Sequence, residues 1–227
     1  KVGTDNFRIS AVYSLKDIRI ANDENGNIQH SRRFDKIAEA YINTPASITF
    51  TGSAGTESDP MLILPHDSTI LNLKGDGKFY IKGVNDASKS ITGGTITLND
   101  ISGNVDISSE GSIGQTATGT NNLTTIKVGA KGDVLLTGNN KLNSVNVETV
   151  GGNFELNNDS DKVTVTFNDK VTEGIKITQR NAIELAGSIE AKSIDMTSRE
   201  GSLESIGGLK TTLTADSSIS LDRKSVV

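Results

Sequence analysis

The sequence predicts an all-β chain, a single-stranded parallel β-helix of ~20 residues per coil with a short helix-containing cap at its N-terminus. Three observations predict it. The first is composition: the 227 residues include 24 Ser, 24 Thr, 20 Asn and 23 Gly, about two-fifths of the chain, and 37 Ile plus Val against only 13 Ala. That bias favours strands and turns over helices. The second is a recurring unit, a glycine followed by two apolar residues at alternate positions. It occurs as Gly77-Lys78-Phe79-Tyr80-Ile81, Gly94-Thr95-Ile96-Thr97-Leu98, Gly103-Asn104-Val105-Asp106-Ile107, Gly132-Asp133-Val134-Leu135-Leu136 and Gly152-Asn153-Phe154-Glu155-Leu156. Each reads as a turn residue leading into a short strand with one apolar face.

The third observation is a longer period. One ladder of apolar residues runs Val105, Ile126, Val145, Val163, Ile183, Leu203, in steps of 21, 19, 18, 20 and 20. A second runs Ile113, Val134, Phe154, Ile175, Ile194, Leu213, in steps of 21, 20, 21, 19 and 19. Most members have an apolar partner two residues on; Gln115, Ser205 and Ala215 are the departures. A strand-turn unit of this length cannot bury its apolar face alone, whereas stacked units bury it against one another. At ~4.8 Å per coil, residues 91–221 make six or seven coils and a rod ~30 Å long. An antiparallel sandwich with strands every ~10 residues is the competing architecture, but it gives no reason for spacing to be kept in alternate strands. Asn122, Asn140 and Asn158 recur 18 apart, as do Asn121, Asn139 and Asn157. Such amides can hydrogen-bond along a stack, although Asn also favours turns on its own account.

Residues 1–44 read differently and are taken as a cap or linker, with the solenoid at 45–227. Phe7, Ile9, Val12, Leu15, Ile18 and Ile20 form a mixed apolar stretch, and residues 22–27 a turn. Phe34, Ile37, Ala38 and Tyr41 fall at i, i+3, i+4 and i+7, the pattern of one short amphipathic helix ending before Thr44-Pro45. A solenoid needs its first coil covered, because an open edge pairs with other chains.

Chemistry is sparse. The 28 acidic against 23 basic residues give a net charge of −5, the wrong sign for nucleic acid, whose binding needs concentrated positive charge. There is no Cys, hence no disulfide or thiolate; a chain that crosses an oxidising compartment unfolded gains from that absence. No apolar run approaches the ~18 residues of a membrane span. His30 and His66 have no ligand-spaced partner and no nucleophile elbow beside them, so neither zinc nor a hydrolase triad is expected. Gly75-Asp76-Gly77-Lys78 and the stretch from Gly83 to Ser90 both fail as phosphate-binding loops. Asp23, Asn25 and Asn27 resemble half a calcium loop, but Ile28 and Phe34 stand where glycine and a bidentate Glu belong. Asn157-Asn158-Asp159-Ser160-Asp161 is read as a solvated turn, with weak calcium binding as its alternative. No cofactor and no metal are expected.

Stacking allows one sharper test for an enzyme. Residues between paired apolar positions face outward and superpose. In the second ladder these are Leu135, Glu155, Lys176, Asp195 and Thr214, where Lys176 between two carboxylates reads as an ion-pair ladder. In the first they are Asp106, Lys127, Asn146, Thr164, Glu184 and Glu204. Glu184 and Glu204 would then be adjacent like charges ~5 Å apart, close to the separation in a retaining glycosidase. They are the candidate catalytic pair. A solvated pair of splayed carboxylates is the plainer reading, because Phe79, Phe154 and Phe167 are assigned to the core and leave few aromatic platforms outside. The chain is therefore expected not to be an enzyme.

The segments Leu123-Thr124-Thr125-Ile126-Lys127-Val128-Gly129 and Gly132-Asp133-Val134-Leu135-Leu136-Thr137-Gly138-Asn139 are similar to passenger domains of bacterial autotransporters, particularly the Thr/Asn/Gly-rich rickettsial surface antigens. Ile183-Glu184-Leu185-Ala186-Gly187-Ser188-Ile189-Glu190-Ala191-Lys192-Ser193-Ile194-Asp195-Met196 resembles the repeats of filamentous-haemagglutinin-type adhesins. The resemblance covers roughly residues 45–222 and rests on composition and period. It implies a right-handed β-helix on the bacterial surface, attached to the outer membrane through a separate anchor domain or secreted. It also implies attachment to a host-cell surface or to an extracellular-matrix protein or glycan. The alternatives are a polysaccharide-binding or -cleaving β-helix of the lyase or tailspike kind, and a surface-layer scaffold that self-associates through its ends.

Overall fold

The computed structural model describes residues 47–58, 60–65, 69–84, 95–206 and 211–223, together with strand backbone at 6–10, 21–22, 28–29, 32–33, 36–37 and 41–42. Almost every strand pairing is parallel and joins segments about one coil apart, so the chain is a β-solenoid and not a sandwich of hairpins. One wall stacks Ser47–Thr51, Thr69–Lys74, the first half of Ile96–Ser109, Ile113–Gln115, Val134–Asn140, Phe154–Asn158, Gly174–Gln179 and the second half of Ala182–Ser198. A second wall stacks Met61–Pro65, Lys78–Gly83, the second half of Ile96–Ser109, the end of Thr120–Ala130, Ser144–Val150, Lys162–Phe167, the first half of Ala182–Ser198 and Leu203–Ser205.

Alternation explains why these segments become strands. Lys162–Phe167 buries Val163, Val165 and Phe167 and leaves Lys162, Thr164 and Thr166 facing out. Val134–Asn140 repeats the pattern over seven residues. The inward residues of both walls meet in one continuous core from Phe50 to Met196. Phe154 of the first wall meets Phe167 of the second edge-to-face, ring centroids 5.7 Å apart at 81°, a favoured aromatic geometry. Phe79 also lies in this core, as expected.

The second ladder stacks as expected through Ile113, Val134, Phe154, Ile175 and Ile194. Its last step differs: Ile219, not Leu213, lies on Ile194, and Leu213 lies on Ile189. The first ladder holds from Val105 through Ile126 to Val145, then slips by two residues. Val145 pairs with Val165, while Val163 pairs onward with Ile183, and Ile183 with Leu203. A slip of two keeps the same face inward, so the core tolerates it.

The asparagine lines are also shifted. Asn140 lies on Asn121, not Asn122, and Asn139 lies on Thr120; Asn158 lies on Asn140 as expected. The stack then continues into Gln179 and Ser198. These side chains point inward and are buried: Asn140 is 1% exposed, Asn158 2% and Gln179 0%.

The expected N-terminal helix is corrected where it is described. Ile37 closes the strand Lys36–Ile37 and Tyr41 opens Tyr41–Ile42, which pairs in parallel with Leu64 and Pro65. Two turns of helix are too short to hold themselves together, and a neighbouring sheet edge offers the same backbone groups better partners. Phe34 and Ala38 lie outside the described residues. So do His30, His66, the half calcium loop at Asp23, Asn25 and Asn27, and residues 85–94 of the second glycine stretch. Asn6–Ser10 lies parallel on Ser47–Thr51 and extends the first wall.

Candidate binding surface

The outer face is built from the residues between the buried positions, one per rung in each column. In the column Glu155, Lys176, Asp195, register and sign follow the expectation. Lys176 Nζ lies 2.9 Å from Glu155 Oε1, and that hydrogen bond and charge raise the lysine pKa. Ser220, not Thr214, follows Asp195, and Thr214 lies on Glu190.

The two-residue slip splits the other predicted column in two. One runs Tyr80, Asp106, Lys127, Asn146, Thr166, Ala186. The other runs Lys78, Asn104, Thr125, Ser144, Thr164, Glu184, Glu204. Glu184 and Glu204 are therefore opposite one another, as expected, but no longer in line with Asp106 and Lys127. Glu184 Oε1 lies 3.1 Å from Lys162 Nζ, and Oε2 accepts a 3.1 Å hydrogen bond from Thr164 Oγ1. Both oxygens are bonded to groups of the preceding rung, and Glu204 is exposed. The pair is placed for like-charge interaction, with Glu184 turned back toward Lys162.

The same rung-to-rung logic runs through the other ion pairs. Lys127 Nζ sits 3.5 Å from Asp106 and 3.6 Å from Glu148, and Lys131 3.7 Å from Glu110. Lys192 sits 2.6 Å from Glu173. Each joins residues about one coil apart, so sequence-distant charges meet only because the coils stack. Asp159 and Asp161, the carboxylates of the turn considered for calcium, face Arg180 of the next rung. Asn158 and Ser160 of that turn point into the core instead. Among the described residues no cluster of three or more His, Cys, Asp or Glu could hold a metal ion.

Hollows interrupt this surface among the described residues. A cavity of about 630 Å³ at the corner is lined by Lys141, Asn143, Asp159, Lys162 and Arg180. A groove of about 370 Å³ on the second wall is lined by Lys78, Tyr80, Asn104, Asp106, Lys127 and Asn146, among others. Burial is the main cause that raises the Asp106 pKa, and Lys127 opposes it; the Asp106 carboxylate in turn raises Lys127. Next to Asn104, which lines the groove, Gly103 has φ of 88°, and the register of Ile96–Ser109 on Thr120–Ala130 breaks between Gly103 and Asn104. A Cβ on Gly103 would lie 2.6 Å from the Gly77 carbonyl oxygen and 2.7 Å from that of Gly75.

The sequence reading passed over Tyr80 as a site residue. The signal was present in the unit Gly77-Lys78-Phe79-Tyr80-Ile81, where alternation buries Phe79 and turns Tyr80 outward. Compared with family models, with curated proteins and with solved structures, the chain matches none of them.

Proposed function

We propose that the chain is a non-catalytic attachment rod, displayed on a bacterial surface or secreted, that engages a host-cell or matrix partner at many weak points. The observation that carries this reading is the outer face itself. Columns of polar side chains repeat once per rung, and cross-rung ion pairs such as Lys176–Glu155 and Lys192–Glu173 tie neighbouring rungs together. A partner with a periodic surface meets equivalent groups on successive rungs, and such multivalency raises avidity without any single strong contact. The passenger-domain resemblance of the repeats supports the same reading. The test is binding of the purified chain to host cells and to immobilised matrix proteins. The comparison is a variant in which Lys127, Lys162, Lys176 and Glu184 are replaced by Ser. Saturable binding that the variant loses is the expected result; binding equal to that of an unrelated β-solenoid overturns it.

One observation favours a second reading, a sugar-cleaving solenoid: the register sets Glu184 opposite Glu204. Turnover of any member of a polysaccharide panel, abolished in the Glu184→Gln, Glu204→Gln double variant, would replace the attachment reading with this one.

A further inference from the structure

We propose that the groove from Tyr80 to Asn146 binds an uncharged pyranose chain lying along the rod axis. The inference takes the attachment reading as its setting and names the chemistry of the partner. Among the residues whose side-chain burial is described, Tyr80 is the one aromatic that is not buried; Phe50, Phe79, Phe154 and Phe167 all belong to the core. A half-exposed tyrosine has an apolar ring face and a polar tip, the combination that suits a sugar ring, which has apolar C–H faces and a polar rim.

The column continues with matching chemistry. Above Tyr80 stand Asp106, Lys127 and Asn146, with Asn104 and Thr125 alongside. Sugar hydroxyls both donate and accept, so they need carboxylate, ammonium and amide groups together. Successive rungs are ~4.8 Å apart, close to the length of one ring in an extended glycan, so each ring would meet one rung.

Charge balance selects a neutral chain. Lys127 lies between Asp106 and Glu148, and Lys78 and Glu57 also line or border the hollow, so neither sign dominates. A polyanion would meet two carboxylates beside the aromatic face. The Asp106 carboxylate is half-buried, and burial disfavours its charge; hydroxyl donors from a sugar would offset that desolvation. Beside Asn104 and Thr125, which line the hollow, the ladder carries one extra residue, Thr124, a bulge of the kind found where a surface is shaped for a ligand.

The test titrates the full chain with cello-, xylo-, manno- and maltohexaose, and with a sulfated hexasaccharide, by calorimetry. Millimolar or tighter binding of at least one neutral sugar is expected. Tyr80→Ala weakens it at least about tenfold, Tyr80→Phe retains it, and Asp106→Asn weakens it, all at unchanged circular dichroism. Absence of binding by every neutral sugar overturns the proposal. So does Tyr80→Ala binding as wild type, or the sulfated sugar binding more tightly than any neutral one. Cell attachment is scored separately. A chain that attaches to cells but binds no neutral sugar refutes the groove and leaves the attachment reading standing. A wild-type chain that binds the sugar but no cell refutes attachment and leaves the groove.

Discussion

Asn158 joins two rungs through a single amide. Its Oδ1 accepts from Leu142 N–H at 2.8 Å, and its Nδ2 donates to Gln179 Oε1 and Ser160 Oγ, both at 2.8 Å. Gln179 passes the chain on by donating to the Ser160 carbonyl at 2.7 Å. Asn158→Ala leaves the Leu142 amide and the Gln179 oxygen buried without these partners. At ~1–3 kcal/mol for each such group, the variant should lose about 2–6 kcal/mol of unfolding free energy. Urea denaturation followed by circular dichroism measures it, and a loss under about 1 kcal/mol would mean that the stack merely fills space. Asp106 gives a second prediction at this scale. Its folded pKa lies above the ordinary value of 3.8, so the folded state holds the proton more tightly than the unfolded chain. Its contribution to stability is therefore full below 3.8 and falls as pH rises through the folded value. Asp106→Asn removes that titration, so its stability relative to wild type should increase between strongly acidic and neutral pH. A flat or opposite difference contradicts the burial assigned to this carboxylate.

Within an element, alternation and rung length were legible, whereas register was only partly so. The segment Val163-Thr164-Val165-Thr166-Phe167 offers two valines on the same face, and either can lie above Val145 without exposing apolar surface. Nothing in the apolar pattern separates a step of 18 from one of 20. The choice is made by the turn before it, where Leu142 is drawn into the core and Asn158 bonds its backbone. The amide stack slipped for a similar reason: Asn121 and Asn122 are chemically alike, and only backbone pairing places Asn121 beneath Asn140. The Glu184–Glu204 pairing was readable because the residues before them, buried Ile183 and partly buried Leu203, both pack against the same core. The groove was not, because it arises where a bulge breaks the period on which the reading depended. The glycine beside that bulge carries its own prediction. Gly103 has positive φ and no room for a Cβ. Gly103→Ala should cost at least about 1–2 kcal/mol from the left-handed backbone alone, read as a lowered melting temperature, together with weakened sugar binding. An Ala variant as stable as wild type would show that the turn can relax out of this conformation.

Over the whole molecule, stability comes from the continuous lumen, and the exposed ion pairs add little each. What the lumen leaves unresolved is the last described rung. Thr212–Arg223 pairs on one side with Ala182–Ser198, and no described strand covers its other edge. Ile219 is 47% exposed and Leu221 49%, although the residues they stack on, Ile194 and Met196, are buried. Natural sheets shield such an edge with charge, a bulge or a cap, since free N–H and C=O groups beside apolar side chains template pairing with another chain. A second copy pairing here would continue the ladder of the last rung and bury both side chains. Wild-type chain should therefore associate as concentration rises, visible as increasing mass by light scattering behind size exclusion. Ile219→Lys with Leu221→Lys should hold it monomeric with an unchanged strand spectrum, because both positions lie outside the filled core. If the lysine variant associates as readily as wild type, the contact lies elsewhere on the rod, and the ion-paired outer columns become the surface to mutate next.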